Sequence, residues 1–483
     1  MCAPVLRCAS VLARLAGSGS YGRRMGSEVG SLGLLDAQRR ALTVGLVLVI
    51  TMVAFEALAV ATALPKTVDE LGGVSLYGWA FSAFMLANLI GITVAGHQAD
   101  ARGPAPPLFA GLVLFGAGLV ICGAAPSMAV VVAGRAVQGL GAGAVPAIAY
   151  VAIGRGYPEA LRPRMFAVMS TAWVVPGIVG PGVAGFVAEH LSWRLVFLGL
   201  LPLLPLGGGL LIPALRRLGP TAGSAPSQTR AALRLATGGG LLLGGLGLHS
   251  LVGLPLVAAG LLVGFPALLR LLPPGALRAA PGLPAAVTMR SLQTFAFFGA
   301  EAFLPLMLTS VRGQSTTVAG LALTAATLTW TAGAWVQAQL ATRRSLRSVA
   351  VTGLVLVAAG IGLIATVLLD AVPVAVAAAG WGVAGLGMGL AYSMASVVVL
   401  AEAPEDGVGV ASARLQLAEV LGVALGTGLG GAIVAAGEAV PWSRRTSIAA
   451  IDSLMFVVAL LGSLVATRLP RRTAAGSTEN AER

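Results

Sequence analysis

The stretch LTVGLVLVITMVAFEALAVATAL, residues 42–64, is an apolar run of 23 residues that contains one carboxylate, Glu56. As a helix rising about 1.5 Å per residue, it is long enough to cross the roughly 30 Å core of a bilayer, and Glu56 then lies within roughly 5 Å of the centre. An ionisable group at that depth costs about 2.5–3.5 kcal/mol, and such groups usually face a water-filled path. The stretch therefore predicts a membrane-spanning helix with a functional acid.

The composition places most of the chain in lipid. It is 57% hydrophobic and 10% charged, with a mean hydropathy of +0.91, whereas soluble domains contain about 25% charged residues. The net charge of +13 does not indicate nucleic-acid binding, because the arginines are spread over short connectors between apolar runs. The three cysteines lack metal-ligand spacing, and we predict neither a metal nor a bound cofactor.

Fourteen apolar segments are long enough to be considered spans, with a short central pair as the weakest candidates. They cover residues 42–64, 78–98, 108–125, 128–151, 165–188, 194–214, 231–248, 251–270, 285–310, 317–340, 349–370, 373–400, 409–436 and 446–467. We predict an all-α integral membrane protein with about 14 transmembrane helices, built as two six-helix bundles with an extra central hairpin. The predicted domains are a disordered basic tail (1–40), a first bundle (41–215), a linker with two extra helices (216–280), a second bundle (281–468) and a tail (469–483).

Positive residues orient the predicted spans. Cytoplasmic connectors of membrane proteins are enriched in Lys and Arg, and one orientation places most of the arginines in connectors on the inside. In that orientation the outside connectors carry only Lys66, Arg194, Arg312, Arg444 and Arg445. We therefore expect a multi-pass protein of the cell membrane with both termini in the cytoplasm. Either Met1 or Met25 is a plausible start of the chain.

Two pairs of similar segments indicate an internal repeat. FEALAVATALP (55–65) resembles AEAFLP (300–305), since each has an acid followed by Leu-Pro, and PGIVGPGVAG (176–185) resembles GVALGTGLGG (422–431). Transporters are often built from repeated bundles, which a pseudo-twofold axis along the membrane normal relates in one common arrangement. Glu301 is then the counterpart of Glu56, and we expect both acids to face one cleft.

Further motifs lie in and beside the spans. The connector GHQADARG (96–103) resembles the signature G-x-L-A-D-R-x-G, and GRAVQGLGAG (134–143) resembles R-x-x-Q-G-x-G. The segment PGIVGPGVAG resembles an antiporter signature, with Pro176 in place of the first glycine. Together these motifs resemble the major facilitator superfamily, closest to its fourteen-span drug:proton antiporters of actinobacterial type. The residues that match are Gly96, Ala99, Asp100, Gly103, Arg135, Gln138, Gly139, Gly141, Gly180, Pro181 and Gly185. Arg102 lies one place from the usual basic residue of the connector signature.

The resemblance implies a proton-coupled secondary active exporter of amphiphilic small molecules that works by alternating access. We expect Glu56, Glu301, Arg135 and Glu419 to couple protons or bind substrate, with Glu56 as one candidate partner for Arg135. The resemblance implies gating or conformational roles for the other motif residues. Its implied partners are protons, the bilayer and a hydrophobic or cationic substrate, and we expect a monomer driven by the proton gradient.

Other functions remain open at this point. One is a dedicated exporter of a single endogenous metabolite, such as a lipid, a siderophore or an amino acid. Another is a membrane-embedded lipid-modifying enzyme, which would need clustered Asp, Glu or His at a membrane face. The three histidines (His97, His190 and His249) are scattered, so we expect no enzyme. Arg290, Arg414 and Asp452 are expected to snorkel from span ends towards the headgroups.

Overall fold

The computed structural model describes residues 33–36, 39–158, 161–220, 228–248, 251–340, 343–402, 408–440 and 442–471. Every regular element in these ranges is a helix, as expected where no water is present to satisfy backbone N–H and C=O groups. The all-α fold with two bundles is therefore confirmed. Most of the two predicted tails, together with residues 221–227 and 249–250 of the predicted linker, lies outside the described residues.

The first bundle contains six spans, some of them divided into two helices. Its helices are α1 (Arg40–Leu71), α2 (Tyr77–Arg102), α3 (Ala105–Gly123), α4 (Met128–Ala142), α5 (Ala144–Gly156), α6 (Arg162–Thr171), α7 (Val174–Val187), α8 (Arg194–Leu198) and α9 (Leu203–Leu215).

A hairpin and the second bundle follow. The hairpin consists of α10 (Thr229–Gly247) and α11 (Gly253–Leu271). The second bundle contains α12 (Leu283–Ser310), α13 (Thr316–Leu340), α14 (Leu346–Thr366), α15 (Ala375–Glu402), α16 (Val408–Ala439) and α17 (Arg444–Ala466).

The number of spans differs from the predicted fourteen when length and apolar composition are applied to the described helices. Twelve candidate spans meet both criteria, and α11 is one of them. Helices α10 and α13 do not meet the criteria, although both are long enough. The fourteen-span count therefore stays a prediction.

The two bundles pack symmetrically against each other. The second span of each half packs on the fifth span of the other half, so that α2 contacts α16 and α13 contacts α7. At the first seam Ser82 Oγ donates to the Ala424 carbonyl at 3.1 Å, and at the second Thr316 Oγ1 donates to the Gly185 carbonyl at 3.2 Å. These matching contacts are those expected of two halves related by a pseudo-twofold axis.

One face of the molecule carries the start of α1 and the end of α17, and we call it the terminal face. Several contacts between the halves lie towards the other side, the opposite face. There Tyr77 donates from its hydroxyl to the Ala302 carbonyl at 2.9 Å. Glu189 accepts hydrogen bonds from the backbone N–H of Thr317 at 3.1 Å and from its hydroxyl at 2.6 Å. These contacts close the opposite face.

Gly78 allows the helices to approach closely at this closed face. A Cβ on Gly78 would lie 2.6 Å from the Thr427 carbonyl oxygen and 2.8 Å from the Gly431 nitrogen. We expect Gly78→Val to separate α2 from α16 and to increase severalfold the maleimide labelling of a cysteine placed at Leu304, which is 2% exposed. Gly154→Val is the control, because a Cβ there meets no atom within 4 Å. Equal labelling rates in both variants would contradict the prediction.

The hairpin lies across one seam between the bundles. Leu243 and Ala236 of α10 belong to a buried apolar cluster with Leu86 of α2 and Ala424 of α16. A second cluster joins the hairpin to the same two helices nearer the terminal face, through Leu89, Leu235 and Leu417 among others. The hairpin therefore contacts both bundles at the α2–α16 seam.

Candidate functional site

A buried ionic cluster lies in the first bundle. Glu56 on α1 is 1% exposed and forms an ion pair with Nη1 of Arg135 on α4, which is 2% exposed. Arg135 also donates from Nη1 to Gln138 Oε1 at 2.8 Å and from Nε to the Ala80 carbonyl at 2.9 Å. Its guanidinium lies over the Phe84 ring, 4.1 Å from the centroid. Glu56, one candidate partner of Arg135 from the sequence, is thus the acid with which Arg135 pairs. We call these five residues the first-half cluster.

The geometry of the first-half cluster leaves the acid only partly satisfied. Glu56 Oε2 is buried and accepts no hydrogen bond from a described residue, and Gln138 Nε2 likewise has no described acceptor. Arg135, in contrast, keeps a carbonyl, an amide oxygen and an aromatic face in addition to the carboxylate. A buried charge needs such compensation, because an unpaired ion in low dielectric is very costly. The guanidinium therefore keeps three other partners if the carboxylate becomes neutral.

Two glycines bring the helices of this cluster together. A Cβ on Gly139 would lie 2.8 Å from the Phe84 carbonyl carbon, and a Cβ on Gly118 would lie 2.5 Å from Gln138 Cβ. The absence of side chains at these positions allows α4 to contact α2 and α3 directly. The close approach places Arg135 between α1 and α2.

The second bundle contains another ionic cluster. Arg290 on α12 is 2% exposed and donates to Glu419 Oε2 on α16 at 3.0 Å and to Ser396 Oγ on α15 at 3.2 Å. Its guanidinium lies 3.6 Å from the centroid of the Tyr392 ring, and the Tyr392 hydroxyl donates to Glu419 Oε1 at 2.7 Å. We call these four residues the second-half cluster. The prediction that Arg290 snorkels to the headgroups is wrong, because Glu419, Tyr392 and Ser396 solvate the guanidinium inside the bundle.

Aromatic rings extend from the second-half cluster. Tyr392 packs on Trp330 with the centroids 5.3 Å apart, Trp330 packs on Phe297 at 5.6 Å, and Phe297 stacks on Trp381 at 4.6 Å. Tyr392, Trp330 and Glu419 are only partly buried, whereas Phe297 and Trp381 are buried. The exposed side of this group combines a carboxylate with aromatic surface, a combination that suits an amphiphilic cation.

The first span of each half contributes a residue of opposite charge to its cluster, an acid in the first half and an arginine in the second. In the first half the acid is on the first span and the arginine is on the fourth, whereas in the second half the arginine is on the first span and the acid is on the fifth. The predicted repeat pairs Glu56 with Glu301, but it is Arg290 that forms the ion pair on α12. Glu301 is partly buried and forms no hydrogen bond or ion pair with the described residues. Whether Glu301 and Glu56 face one cleft stays a prediction.

The motif residues of the connector lie at the terminal face. Gly103 has φ +83° and ends α2, since a left-handed conformation favours glycine. Arg102 is exposed, and a Cβ on Gly96 would meet no atom within 4 Å. Asp100 is partly exposed and forms no ion pair with another described residue. In the described part of the chain, Asp100 and Arg102 therefore form no ion pair with the second half in this conformation.

The motif residues of the fifth span lie between two helices. A Cβ on Gly180 would lie 3.5 Å from the Phe55 ring, next to Glu56 on α1. Pro181 contacts Gly320 on α13, and a Cβ on Gly185 would lie 2.6 Å from the Thr316 carbonyl oxygen. This part of α7 therefore links the first-half cluster to the seam with the second bundle.

Asp452 is a buried acid that the sequence did not reveal. It is 3% exposed on α17, and its Oδ2 is buried without a hydrogen-bond donor among the described residues. The prediction of a snorkelling surface group is wrong, because this side of α17 packs on α12 and α14. Arg414, for which snorkelling was also predicted, is partly exposed.

Replacing this acid tests whether it has a structural role. We expect Asp452→Leu to raise the Tm in detergent by about 2–4 °C, because an unsatisfied buried polar group costs about 1–3 kcal/mol. Ser453→Leu is the control, since Ser453 is exposed and lies next to Asp452 on α17. A lower Tm for Asp452→Leu, with the control unchanged, would mean that a partner stabilises the carboxyl group.

Within the described ranges, no group of three or more His, Cys, Asp or Glu residues could hold a metal ion. Cys122 is buried and unbridged.

Comparisons with known sequences identify relatives. The model of a family described as the Major Facilitator Superfamily matches residues 44–426. The multidrug transporter protein MdtP of Bacillus subtilis is 30% identical over 162 residues, which cover 34% of this chain and 30% of that protein. A protein of Mycobacterium tuberculosis named "Probable multidrug-efflux transporter" is 32% identical over 150 residues, covering 31% of this chain and 32% of that protein. The chain thus matches about a third of the length of these relatives.

Solved structures share the architecture at low sequence identity. A D-xylose-proton symporter superposes with a TM-score of 0.64 at 15% identity, covering 90% of this chain and 98% of that one. An auto-inhibited peptide transporter gives a TM-score of 0.61 at 16% identity, covering 92% and 97%. At this level of identity the likeness concerns the fold.

Proposed function

We propose a function from one premise, that this chain belongs to the Major Facilitator Superfamily. We infer that it is a proton-coupled secondary active exporter of amphiphilic small molecules. The names of its relatives support efflux as the direction and drugs as the substrate class. The observation that carries the proposal is the Glu56–Arg135 ion pair, in which a carboxylate and a guanidinium are both almost fully buried within one bundle.

The proposed role of Glu56 is to carry the proton. Protonation removes the charge of the carboxylate and releases its hold on Arg135, which then keeps Gln138, the Ala80 carbonyl and the Phe84 ring. The cluster can thus exist in two charge states without exposing a bare ion to lipid. Because its helices α1, α2 and α4 belong to one bundle, a change in their packing changes the surface that this bundle presents to the other.

The proposed substrate surface lies mainly in the second bundle. Glu56 is too buried in this conformation to contact a substrate, whereas Glu419 keeps 29% of its side chain exposed beside Tyr392 and Trp330. Glu301 is another partly buried acid of the second bundle. A cationic amphiphile would place its charge near these carboxylates and its apolar part against the aromatic rings.

Orientation completes the proposed cycle. We place the terminal face in the cytoplasm of a cell-membrane protein, with the bundles at 41–215 and 281–468 and the linker at 216–280. The opposite face, closed at Tyr77 and Thr317, is then the outer one, so this conformation faces inward. Rocking of the bundles would open the α2–α16 and α7–α13 seams on the outside and bring the 96–103 connector into contact with the other half. We propose that the monomer carries out this cycle with the proton gradient alone.

Efflux of dyes from energised vesicles tests the proposal. We expect the purified, reconstituted chain to move cationic amphiphilic dyes against their gradient when a proton gradient is imposed, and to stop when an uncoupler is added. Vesicles without protein are the control for leakage. Efflux that continues unchanged with the uncoupler would refute proton coupling, and the absence of movement of all dyes would refute the substrate class.

A further inference from the structure

A groove on the outside of the first bundle lies between α3 and α9, away from both clusters. Its volume is about 580 Å³. Leu112, Gly116 and Gly208 are buried and form its floor, and Phe109 and Val120 are exposed on its rim. From Phe109 to Val120 the groove follows α3 for about 16 Å, roughly half the thickness of the hydrocarbon core. This length corresponds to one leaflet.

A guanidinium lies at one end of the groove. Arg216, which directly follows α9 at the terminal face, is exposed and forms part of the groove lining. The other lining residues are apolar: leucines, valines, prolines, glycines, one alanine, one isoleucine and one phenylalanine. A charge at the membrane interface and an apolar channel within the leaflet are the two parts that a phospholipid requires.

Other arginines surround that end of the groove. Arg155 donates to the Gly219 carbonyl, and the end of α2 at Arg102 adjoins the same segment, since a Cβ on Gly103 would lie 3.1 Å from the Leu218 carbonyl oxygen. Arg217 is the neighbour of Arg216 in the chain and is also exposed. Asp100 lies two residues before Arg102, at the same end of α2. The positive charges exceed the negative ones, which favours an anionic headgroup.

We propose that this groove is a binding site for one anionic phospholipid, with an acyl chain along α3 and α9 and the phosphate at Arg216. Guanidinium groups bind phosphate oxygens in a bidentate manner, which gives the headgroup a fixed position. The site is separate from the proposed transport pathway. A result against lipid binding at this groove therefore does not contradict the proposed function, and a result against transport does not contradict lipid binding.

Gly209 provides a way to fill the groove without disturbing the fold. It lies in the groove lining, and a Cβ there would meet no atom within 4 Å. Gly209→Leu would therefore occupy the acyl channel, and Arg216→Gln would remove the headgroup partner. The matched controls are Gly240→Leu on α10, where a Cβ also meets no atom within 4 Å, and Arg270→Gln near the end of α11.

The experiment measures lipid binding to the full-length protein in detergent. Native mass spectrometry and Tm are recorded with phosphatidylglycerol, phosphatidylcholine or inorganic phosphate. We expect phosphatidylglycerol to remain bound and to raise the Tm of the wild type and both controls, whereas Gly209→Leu and Arg216→Gln lose at least tenfold in retained lipid. A Tm without lipid equal to that of the wild type shows that each variant folds.

Three results would overturn the proposal. Equal retention of phosphatidylcholine would show that the charge is not recognised. A Tm rise with inorganic phosphate alone that matches the rise with phosphatidylglycerol would mean that the acyl groove is not used. Unchanged phosphatidylglycerol binding by both groove variants would place the lipid elsewhere on the protein.

Discussion

Glu56→Gln should reduce uncoupler-sensitive efflux more than tenfold, which corresponds to more than about 1.4 kcal/mol. Glutamine preserves the shape of the side chain but cannot exchange a proton, so the cluster keeps one charge state throughout the cycle. Arg135 retains its bonds to Gln138 and the Ala80 carbonyl, and we therefore expect the variant to fold. The measurement is dye efflux from reconstituted vesicles with an imposed proton gradient.

The matched control for this variant is Glu70→Gln. Glu70 lies on the same helix and also pairs with an arginine, Arg194, but its side chain is 47% exposed near the opposite face. We expect this control to transport normally, because exposed ion pairs contribute little free energy. Glu56→Asp, which keeps an ionisable group, should recover part of the activity. Normal coupled efflux by Glu56→Gln would remove the proposed role of Glu56.

Arg290→Met should lower the stability of the second bundle by about 3 kcal/mol. Removing one partner of a buried ion pair lowers the free energy of unfolding by about 3–5 kcal/mol. Because the Glu419 side chain is 29% exposed, we expect a loss at the low end of that range. The Arg290→Met/Glu419→Met double variant should recover more than half of that loss, because no uncompensated charge remains. Thermal unfolding in detergent of the wild type, both single variants and the double variant measures the coupling.

The double-variant cycle also separates stability from transport. We expect the double variant to be folded but inactive towards cationic dyes, since the carboxylate of the proposed substrate surface is gone. Arg445→Met is a control outside the bundle core, because Arg445 pairs with Asp370 in an exposed connector. If the stability losses of the two single variants simply added up in the double variant, the ion pair would not be the stabilising contact.

The sequence was sufficient to predict the all-α fold with two bundles and to single out Glu56, Arg135 and Gln138, which lie together in the first-half cluster. Long apolar runs dictate helices in lipid, and a single acid at mid-span must find a partner, which Arg135 supplies on the fourth span. Gly139, which belongs to the same motif, allows the close packing that positions this arginine. These features depend on depth along the membrane normal, which residue spacing along a helix reveals directly.

The second-half cluster and Asp452 were missed for a common reason. Depth does not reveal which side of a helix faces the bundle, and α12 and α17 are apolar on most sides. Arg290 and Asp452 were judged from their distance to the span ends, and that criterion ignores rotation about the helix axis. One signal was available: Arg290 and Glu419 have opposite charges and similar distances from the terminal face. The tertiary structure was needed to show that they meet.

The hairpin has a consequence for the energetics of the conformational change. Since Leu243 contacts side chains of both halves, α2 and α16 cannot move apart without exposing or rearranging apolar surface on α10. Among the described helices, the hairpin packs on the α2–α16 seam and not on the α7–α13 seam. The two seams therefore do not respond equally to the same rotation of the bundles. The free-energy difference between the proposed inward-facing and outward-facing states therefore includes the packing of a helix pair that belongs to neither half.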